Sequence, residues 1–338
     1  MNMWQEKVSL KFALLNAENL FLLFDRPPTA ELTKTTEAEW QRLSTSIFPN
    51  KPLDKVKELA RTLNDINADV VMLCEVGGPE SLANFNNLFL NQQYSPIVIE
   101  GNSDRNIDVG FLIKKNQSYY FDLASNKNRP INYLYPHERD PSQAGIKITS
   151  HKFSRDAVEL RLFKKERDNP FLVIILTHLK SPLDKDRIDP MGFERRRAEL
   201  ITLTEIYREV TDLHKNCPVV VAGDFNGNAS RQSTDPEFKF LYESTELEDV
   251  LELAGKVTHE RATYYQVRTS GKVDGKQIDY CFLSPLAAKC LKPGSAMVYR
   301  YKDEYGFEID IPKSLDAKLN LPSDHYPVVF ELENIEVF

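Results

Sequence analysis

The sequence predicts an α/β protein built from mixed β-sheets with helices outside them. Three observations lead there. Short apolar, β-branched runs alternate with helical patterns early in the chain, strands then dominate, and polar residues recur at the ends of those strands.

The elements follow in order. Lys7–Leu15 alternates and then turns apolar, as a half-buried strand does. Leu53–Asn67 reads as a helix, because Val56, Leu59, Ala60, Leu63 and Ile66 share one face. Val70–Cys74 is a buried strand, and Ile107–Ile113 is a strand of weaker pattern. Val158–Phe163 alternates, and the dense apolar run Phe171–Thr177 reads as a central strand. Glu194–Leu213 is helical, with Leu200, Leu203, Tyr207 and Val210 in register, and its basic opening Arg195–Arg197 reads as a solvated face. Pro218 starts the strand Val219–Ala222, and Tyr280–Leu283 and Val328–Leu332 complete the set. Two stretches read as loop insertions: the polar Arg26–Pro52, and Ser125–Lys152 with Pro130, Pro136 and Pro141.

Of the 338 residues, 41% are apolar, enough for a large core, and one domain spanning residues 1–338 is expected. Lys and Arg total 43 against 50 Asp and Glu, a net charge of −7. That balance excludes a protein that coats nucleic acid with a broad cationic surface, so any such affinity must be local. The four cysteines, Cys74, Cys217, Cys281 and Cys290, form no C-x-x-C pair, and the first three sit in or beside apolar runs. They are expected as free thiols. The leading MNMWQEKVSLKF has no apolar signal region, and no run of about 18 apolar residues exists to span a membrane. A cytoplasmic monomer without an inferable protein partner is the expectation.

The chemistry sits at strand ends. Asn16 follows Phe12–Leu15, Glu75 follows Val70–Cys74, His178 follows Val173–Thr177, and Asp224 and Asn226 follow Val219–Gly223. Asp279 opens Tyr280–Leu283, and Asp324–His325 precede Tyr326–Phe330. The first four groups lie at C-terminal strand ends and the last two at N-terminal ends, so antiparallel neighbours in a mixed sheet would bring them to one edge. Taken singly, each residue reads as a turn former or a solvated loop residue. Together, carboxylates suit a hard cation such as Mg²⁺, a His beside them can act as acid or base, and Asn offers donors to phosphate. No soft-ligand set for zinc is present.

These motifs resemble the endonuclease/exonuclease/phosphatase superfamily in its deoxyribonuclease-like branch. The resemblance runs from Asn16 to His325 through LNAENLF, VMLCEVGG, RNIDVGFL, FSRDAVEL, THLKSP, VVVAGDFNG, QIDYCFLS and LPSDHYPV, in the family's order. It implies a four-layered α/β sandwich, two packed mixed sheets flanked by helices, with the site at one edge. By the resemblance, Glu75, Asp324 and Glu18 are the metal-side carboxylates, and Asp224 positions or deprotonates the attacking water. Asn226 and Asn16 face phosphate, His325 is oriented by Asp279, and His178 is a second histidine that abasic-site endonucleases lack. Arg155 matches an arginine at the edge of the site. Lys180, directly after the His178 motif, and Arg231 are further phosphate-contact candidates from their place in the sequence. Ala17 and Cys74 depart from the common pattern without changing a reacting group.

The implied function is a Mg²⁺-dependent phosphodiesterase, with Mn²⁺ able to substitute. Its expected substrate is the DNA or RNA backbone, cleaved with little sequence preference. A phosphatase or phosphodiesterase of small phosphorylated metabolites or lipid headgroups is the alternative within the same chemistry. An inactive binding module is the alternative of another class, and it should lack at least one of Glu75, Asp224, Asn226 or His325, all of which are present.

Overall fold

A computed structural model describes residues 6–139, 149–164, 169–184 and 187–337. Pro141 and the first five residues lie outside the described residues.

In chain order, the strands β1 (Lys7–Leu20), β2 (Val70–Val76), β3 (Tyr94–Val98) and β4 (Asp108–Lys114) build most of a first sheet. Strands β5 (Tyr120–Ser125), β6 (Ala157–Phe163), β7 (Leu172–His178), β8 (Val219–Asp224) and the two-residue β9 (Glu248–Asp249) build most of a second. A separate hairpin follows, β10 (Tyr264–Val267) with β11 (Val273–Lys276). Then β12 (Asp279–Leu283) joins the second sheet, and β13 (Met297–Val298) and β14 (Val328–Glu336) return to the first. The orders are β13-β14-β1-β2-β4-β3 and β5-β6-β7-β8-β12-β9. Each sheet holds one parallel pair, β1 with β2 and β7 with β8, and is otherwise antiparallel, so both are mixed as expected.

Side-chain alternation explains the layers. Phe12, Leu14, Met72 and Cys74 of the first sheet share one inner core with Ile174, Leu176, Val220, Ala222, Cys281 and Leu283 of the second. The intervening positions Ala13, Leu15, Val71 and Leu73 point outward and pack under the helix Leu53–Ile66 and its neighbours. On the other side, Val173, Ile175, Val219 and Val221 pack with Leu200, Leu203, Ile206 and Tyr207 of the long helix Phe193–Leu213. Helix, sheet, sheet, helix is the four-layered sandwich.

Several elements differ from expectation. A helix at Gly78–Phe89 has no clean apolar face, because Asn84 and Asn86 are buried in it and bond to the Leu22 and Tyr94 carbonyls at 2.8 and 3.0 Å. Arg26–Pro52 is a loop insertion, as expected, but it carries two short helices, Ala30–Lys34 and Glu37–Gln41, and is anchored to the body of the fold. Trp40 is fully buried with its Nε1 donating to the Lys51 carbonyl at 3.0 Å, and Asn50 exchanges hydrogen bonds with the Leu23 backbone. Arg195–Arg197 is not a uniformly solvated face: Arg196 is buried, pairs with Glu237 at 2.7 Å, and donates to the Lys180 and Met191 carbonyls. The four cysteines are free, and Cys74, Cys217 and Cys281 are buried. Among the described residues, no helix is long and apolar enough to cross a membrane.

Candidate active site

The site is where the inner core turns polar. In the second sheet, His178 is the register partner of Asp224 across the parallel pair, and Asp279 is the partner of Asp224 across the antiparallel pair. Each continues the inward-facing alternation of its strand, two residues from Leu176, Ala222 and Cys281 respectively, so the three side chains form one row aimed at the first sheet. Asn16 continues the inward series Phe12, Leu14 on β1 and closes the row from the opposite sheet: its Nδ2 donates to Asp224 Oδ2 at 3.0 Å. The close approach of β7 and β8 depends on Gly223, whose φ is +150° and where a Cβ would stand 1.8 Å from the Thr177 carbonyl oxygen.

His325 enters from the segment leading to β14. Its backbone N–H donates to Ser323 Oγ, and that hydroxyl donates to the Asn16 carbonyl at 2.7 Å. Tyr326 N–H is fixed on the Thr263 carbonyl, and Tyr301 donates to the His325 carbonyl. His325 Nδ1 then lies 2.8 Å from Asp279 Oδ2, and since a carboxylate only accepts, Nδ1 carries the proton. Asp279 in turn is aligned by its own N–H on Thr263 Oγ1. Burial disfavours charge on His325, but Asp279, with Asp324 and Asp224 beyond it, holds its pKa well above the ordinary value. Burial, Arg155 and His325 push His178 the other way, well below its ordinary value, so it is a neutral imidazole. Burial and the neighbouring Asp279 push Asp224 up to about 7, against the opposing pull of His325. The two histidines thus take opposite protonation states: burial, then nearby cations, keeps His178 neutral, while the carboxylates around His325 overcome its burial.

Asn226 sits in the left-handed conformation at φ +54°, its N–H on Asp224 Oδ1 at 2.8 Å and its Nδ2 on the Leu179 carbonyl at 3.1 Å. The same carbonyl accepts from Arg155 Nη1 at 3.4 Å. Glu75, also left-handed at φ +60°, breaks the regular pairing of β2 and accepts from the Asn19 N–H at 3.1 Å, with Arg105 3.7 Å away. Asp324 lies 3.8 Å from His325 Nε2 and 3.3 Å from Lys318. Burial raises its pKa and His325 and Lys318 lower it, with a net fall. Glu18 is held by Lys55 at 2.8 Å and Lys51 at 3.3 Å, so two ammoniums already engage its carboxylate. Lys180 donates its ammonium to the Ser181 and Leu183 carbonyls. Arg231 turns away from the row: its guanidinium lies 4.6 Å over the Tyr242 ring and donates to the Leu247 carbonyl.

The donor set fits a hard divalent cation. Asp279 Oδ1 is buried without a hydrogen-bond partner, and Asp224, Asp279 and His325 each offer an atom within 4.8 Å of the others. Two carboxylates so close, one driven toward neutrality by burial and then by the other, gain from positive charge beside them. Arg155 Nε is also buried and unpartnered, which provides a donor for an oxyanion; His178 Nδ1 is unpartnered too, but Nε2, 3.5 Å from Asp224 Oδ2, carries the neutral ring's one proton and leaves Nδ1 an acceptor.

Sequence reading missed the residues that hold this edge together. Glu199 is fully buried on the long helix and accepts from the Ser154 and Lys180 N–H groups, both at 2.7 Å. It thereby ties the Arg155 loop to the loop carrying Leu179 and Lys180. Thr263 and Ser323 act similarly on Asp279 and His325. Only Ser323 had a local signal, its hydroxyl two residues before His325.

No protein-family model matches the chain, and no curated protein matches it in sequence. Solved structures do. D. rerio TDP2 complexed with single strand DNA product matches over 96% of this chain and 98% of its own, at 17% identity and TM-score 0.57. The human Nocturnin catalytic domain with bound sulfate anion matches over 97% and 96%, at 18% identity and TM-score 0.56. An endonuclease/exonuclease/phosphatase from Bacteroides vulgatus matches over 97% and 100%, at 16% identity and TM-score 0.56. The chain has the endonuclease/exonuclease/phosphatase fold, and the resemblance carried by its motifs is borne out at that level.

Proposed function

We propose, from the endonuclease/exonuclease/phosphatase fold and the edge it presents, that the chain is a Mg²⁺-dependent phosphodiesterase acting on nucleic acid with little sequence preference. The observation that carries this reading is the row His178–Asp224–Asp279, closed by Asn16 from one side and His325 from the other. Carboxylates would hold the ion: Glu75 and Asp324 as the resemblance implies, with Asp224 and the partnerless Asp279 Oδ1 as the acidic pair that gains from its charge, while protonated His325 is no ligand. When bound, the ion supplies positive charge that stabilises the charge developing on the phosphoryl group.

The side chains supply the rest. Asp224 has one oxygen on Asn16 Nδ2 and the other on the Asn226 N–H, which fixes the carboxylate plane and leaves its outer lone pairs to orient a water and accept its proton. His325, protonated and backed by Asp279, donates to a phosphoryl oxygen as negative charge grows there. Neutral His178 turns its Nε2–H toward Asp224 Oδ2, 3.5 Å away, and helps orient that carboxylate, while Asn226 holds a remaining oxygen. Nucleic acid is favoured over a lipid headgroup or small metabolite by the cations around Arg155 and by a fold neighbour complexed with single strand DNA product. Hydrolysis of plasmid, linear duplex, single strands, abasic duplex, RNA and inositol phosphates, with Mg²⁺ or Mn²⁺ and with EDTA, tests it. Cleavage of nucleic acid that EDTA abolishes is expected. Release of phosphate from inositol phosphates with every DNA and RNA form left intact would replace the nuclease reading with the alternative.

A further inference from the structure

Beside the edge, the loops of this chain enclose a bay of about 530 Å³ that the reaction at the row does not use. Small-molecule sites fall at about 300–1,000 Å³, so one nucleotide-sized group fits. Arg155 forms the boundary with the catalytic row. It is 5% exposed, its partners are the Ser154 hydroxyl and the Leu179 carbonyl, and its Nε has no partner. Among the described residues no carboxylate lies within ion-pair distance of it. A buried guanidinium in that state is costly unless an anion completes it.

Three further cations, Arg105, Lys180 and Arg195, line the same bay in a chain of net charge −7. Arg195 is fixed there by donating to the Lys152 carbonyl at 3.1 Å, with Glu199 3.6 Å behind it. Of the two lining carboxylates, Asp184 is occupied by the N–H groups of Ile188 and Asp189, which leaves Asp104. The lining is not only cationic. Tyr135 and His151 meet edge to face at 4.9 Å, and Leu183 and Ile188 expose apolar surface, at 55% and 37%. An anion and a flat apolar ring are the two halves of a nucleotide.

We propose that this bay binds a nucleoside monophosphate unit, its phosphate on Arg155 and Arg195 and its base against Tyr135 and His151. The proposal rests on the phosphodiesterase reading and names the substrate class it takes best: a diester whose neighbouring nucleotide carries a phosphate of its own. Internal nucleic acid and a terminally phosphorylated dinucleotide gain that contact; an unphosphorylated dinucleoside monophosphate, like bis(p-nitrophenyl) phosphate, is a diester the row hydrolyses without it.

The test is calorimetric titration of the intact chain in EDTA with AMP, adenosine and inorganic phosphate. AMP should bind at least about tenfold more tightly than either part, the gain expected from one added charged hydrogen-bonding or stacking group. Arg195→Met should weaken AMP about tenfold and Arg195→Lys should recover part of that loss. Tyr135→Ala should weaken AMP while leaving inorganic phosphate as it was. AMP binding no tighter than phosphate, or wild-type affinity in folded Arg195→Met and Tyr135→Ala, overturns the proposal. If Arg195→Met does not fold, Tyr135→Ala alone decides. Hydrolysis of bis(p-nitrophenyl) phosphate separates the two readings. Its absence with both Mg²⁺ and Mn²⁺ defeats the phosphodiesterase, and the AMP titration still decides the bay.

Discussion

His325 and Asp279 should behave as one catalytic unit. They lie 2.8 Å apart, are 6% and 0% exposed, and are aligned by separate backbone anchors on Ser323 and Thr263. His325→Ala removes the donor to the phosphoryl group, and such a loss costs on the order of 10²–10⁴ in rate, about 2.7–5.5 kcal/mol at 1.36 kcal/mol per decade. Asp279→Asn keeps the shape but removes the charge that sustains the imidazolium and fixes its tautomer, for a loss of up to about 10⁴. Once His325 is gone, Asp279 has no imidazole to orient. The double variant should therefore fall within about tenfold of the worse single one, whereas independent roles would multiply to as much as about 10⁸. kcat/KM on bis(p-nitrophenyl) phosphate and on a single-stranded oligonucleotide, with folding checked by circular dichroism, gives all four corners of the cycle. Strictly multiplicative losses would refute the coupling.

Glu75→Gln should abolish most activity and weaken Mn²⁺ in a calorimetric titration, while changing folding stability by no more than about 1 kcal/mol, since its one ion-pair partner among the described residues, Arg105, is 3.7 Å away and partly exposed. Unaltered Mn²⁺ binding would remove Glu75 from the metal's ligands. Glu199→Gln should lower the urea midpoint by the equivalent of about 1–3 kcal/mol, because one of its two 2.7 Å backbone donors loses its acceptor, and should lower kcat through the shared Leu179 carbonyl. A normal midpoint would place that carboxylate elsewhere. Asp249 is buried away from the row, with Oδ1 unpartnered; burial, and then Glu252 against the pull of Gln277 and Arg261, raises its pKa from 3.8 to about 7. The folded state then holds a proton that the unfolded state releases, so stability falls as pH rises from about 4 to about 7, by up to about 4 kcal/mol for three pKa units. Asp249→Asn should raise Tm more at pH 8 than at pH 5, and an equal gain at both would show that Asp249 titrates normally.

The row of the site was legible because its members sit at strand ends, where a polar residue after an apolar run stands out. The rule that antiparallel neighbours bring opposite ends together then placed Asp279 and His325 with Asp224 and His178. Glu18 shows the limit of matching positions: the lysines at 51 and 55 that engage it come from the end of a segment read as a loop insertion and from the helix that follows it. Arg195 and Arg196 illustrate the same problem in reverse. On a helix they look like a solvated stripe, yet their partners, Lys152, Lys180 and Glu237, come from three segments distant in sequence. Glu199 was invisible because what it holds is backbone N–H, which carries no residue-specific signal. The helix at Gly78–Phe89 was missed because two asparagines occupy buried positions that pattern reading reserves for apolar side chains.

The central claim is that the edge formed by Glu75, Asp224, Asn226, Asp279 and His325 hydrolyses phosphodiesters with a divalent cation. One measurement addresses it most directly: initial rates on single-stranded DNA and on bis(p-nitrophenyl) phosphate across a Mg²⁺ titration, ended by excess EDTA, for the wild type and Asp224→Asn. The account predicts saturable dependence on Mg²⁺ for both substrates, loss of activity in EDTA, and a fall of at least about 10² in Asp224→Asn, as for a positioned base. Full activity in EDTA, or an Asp224→Asn variant as fast as the wild type, would contradict it.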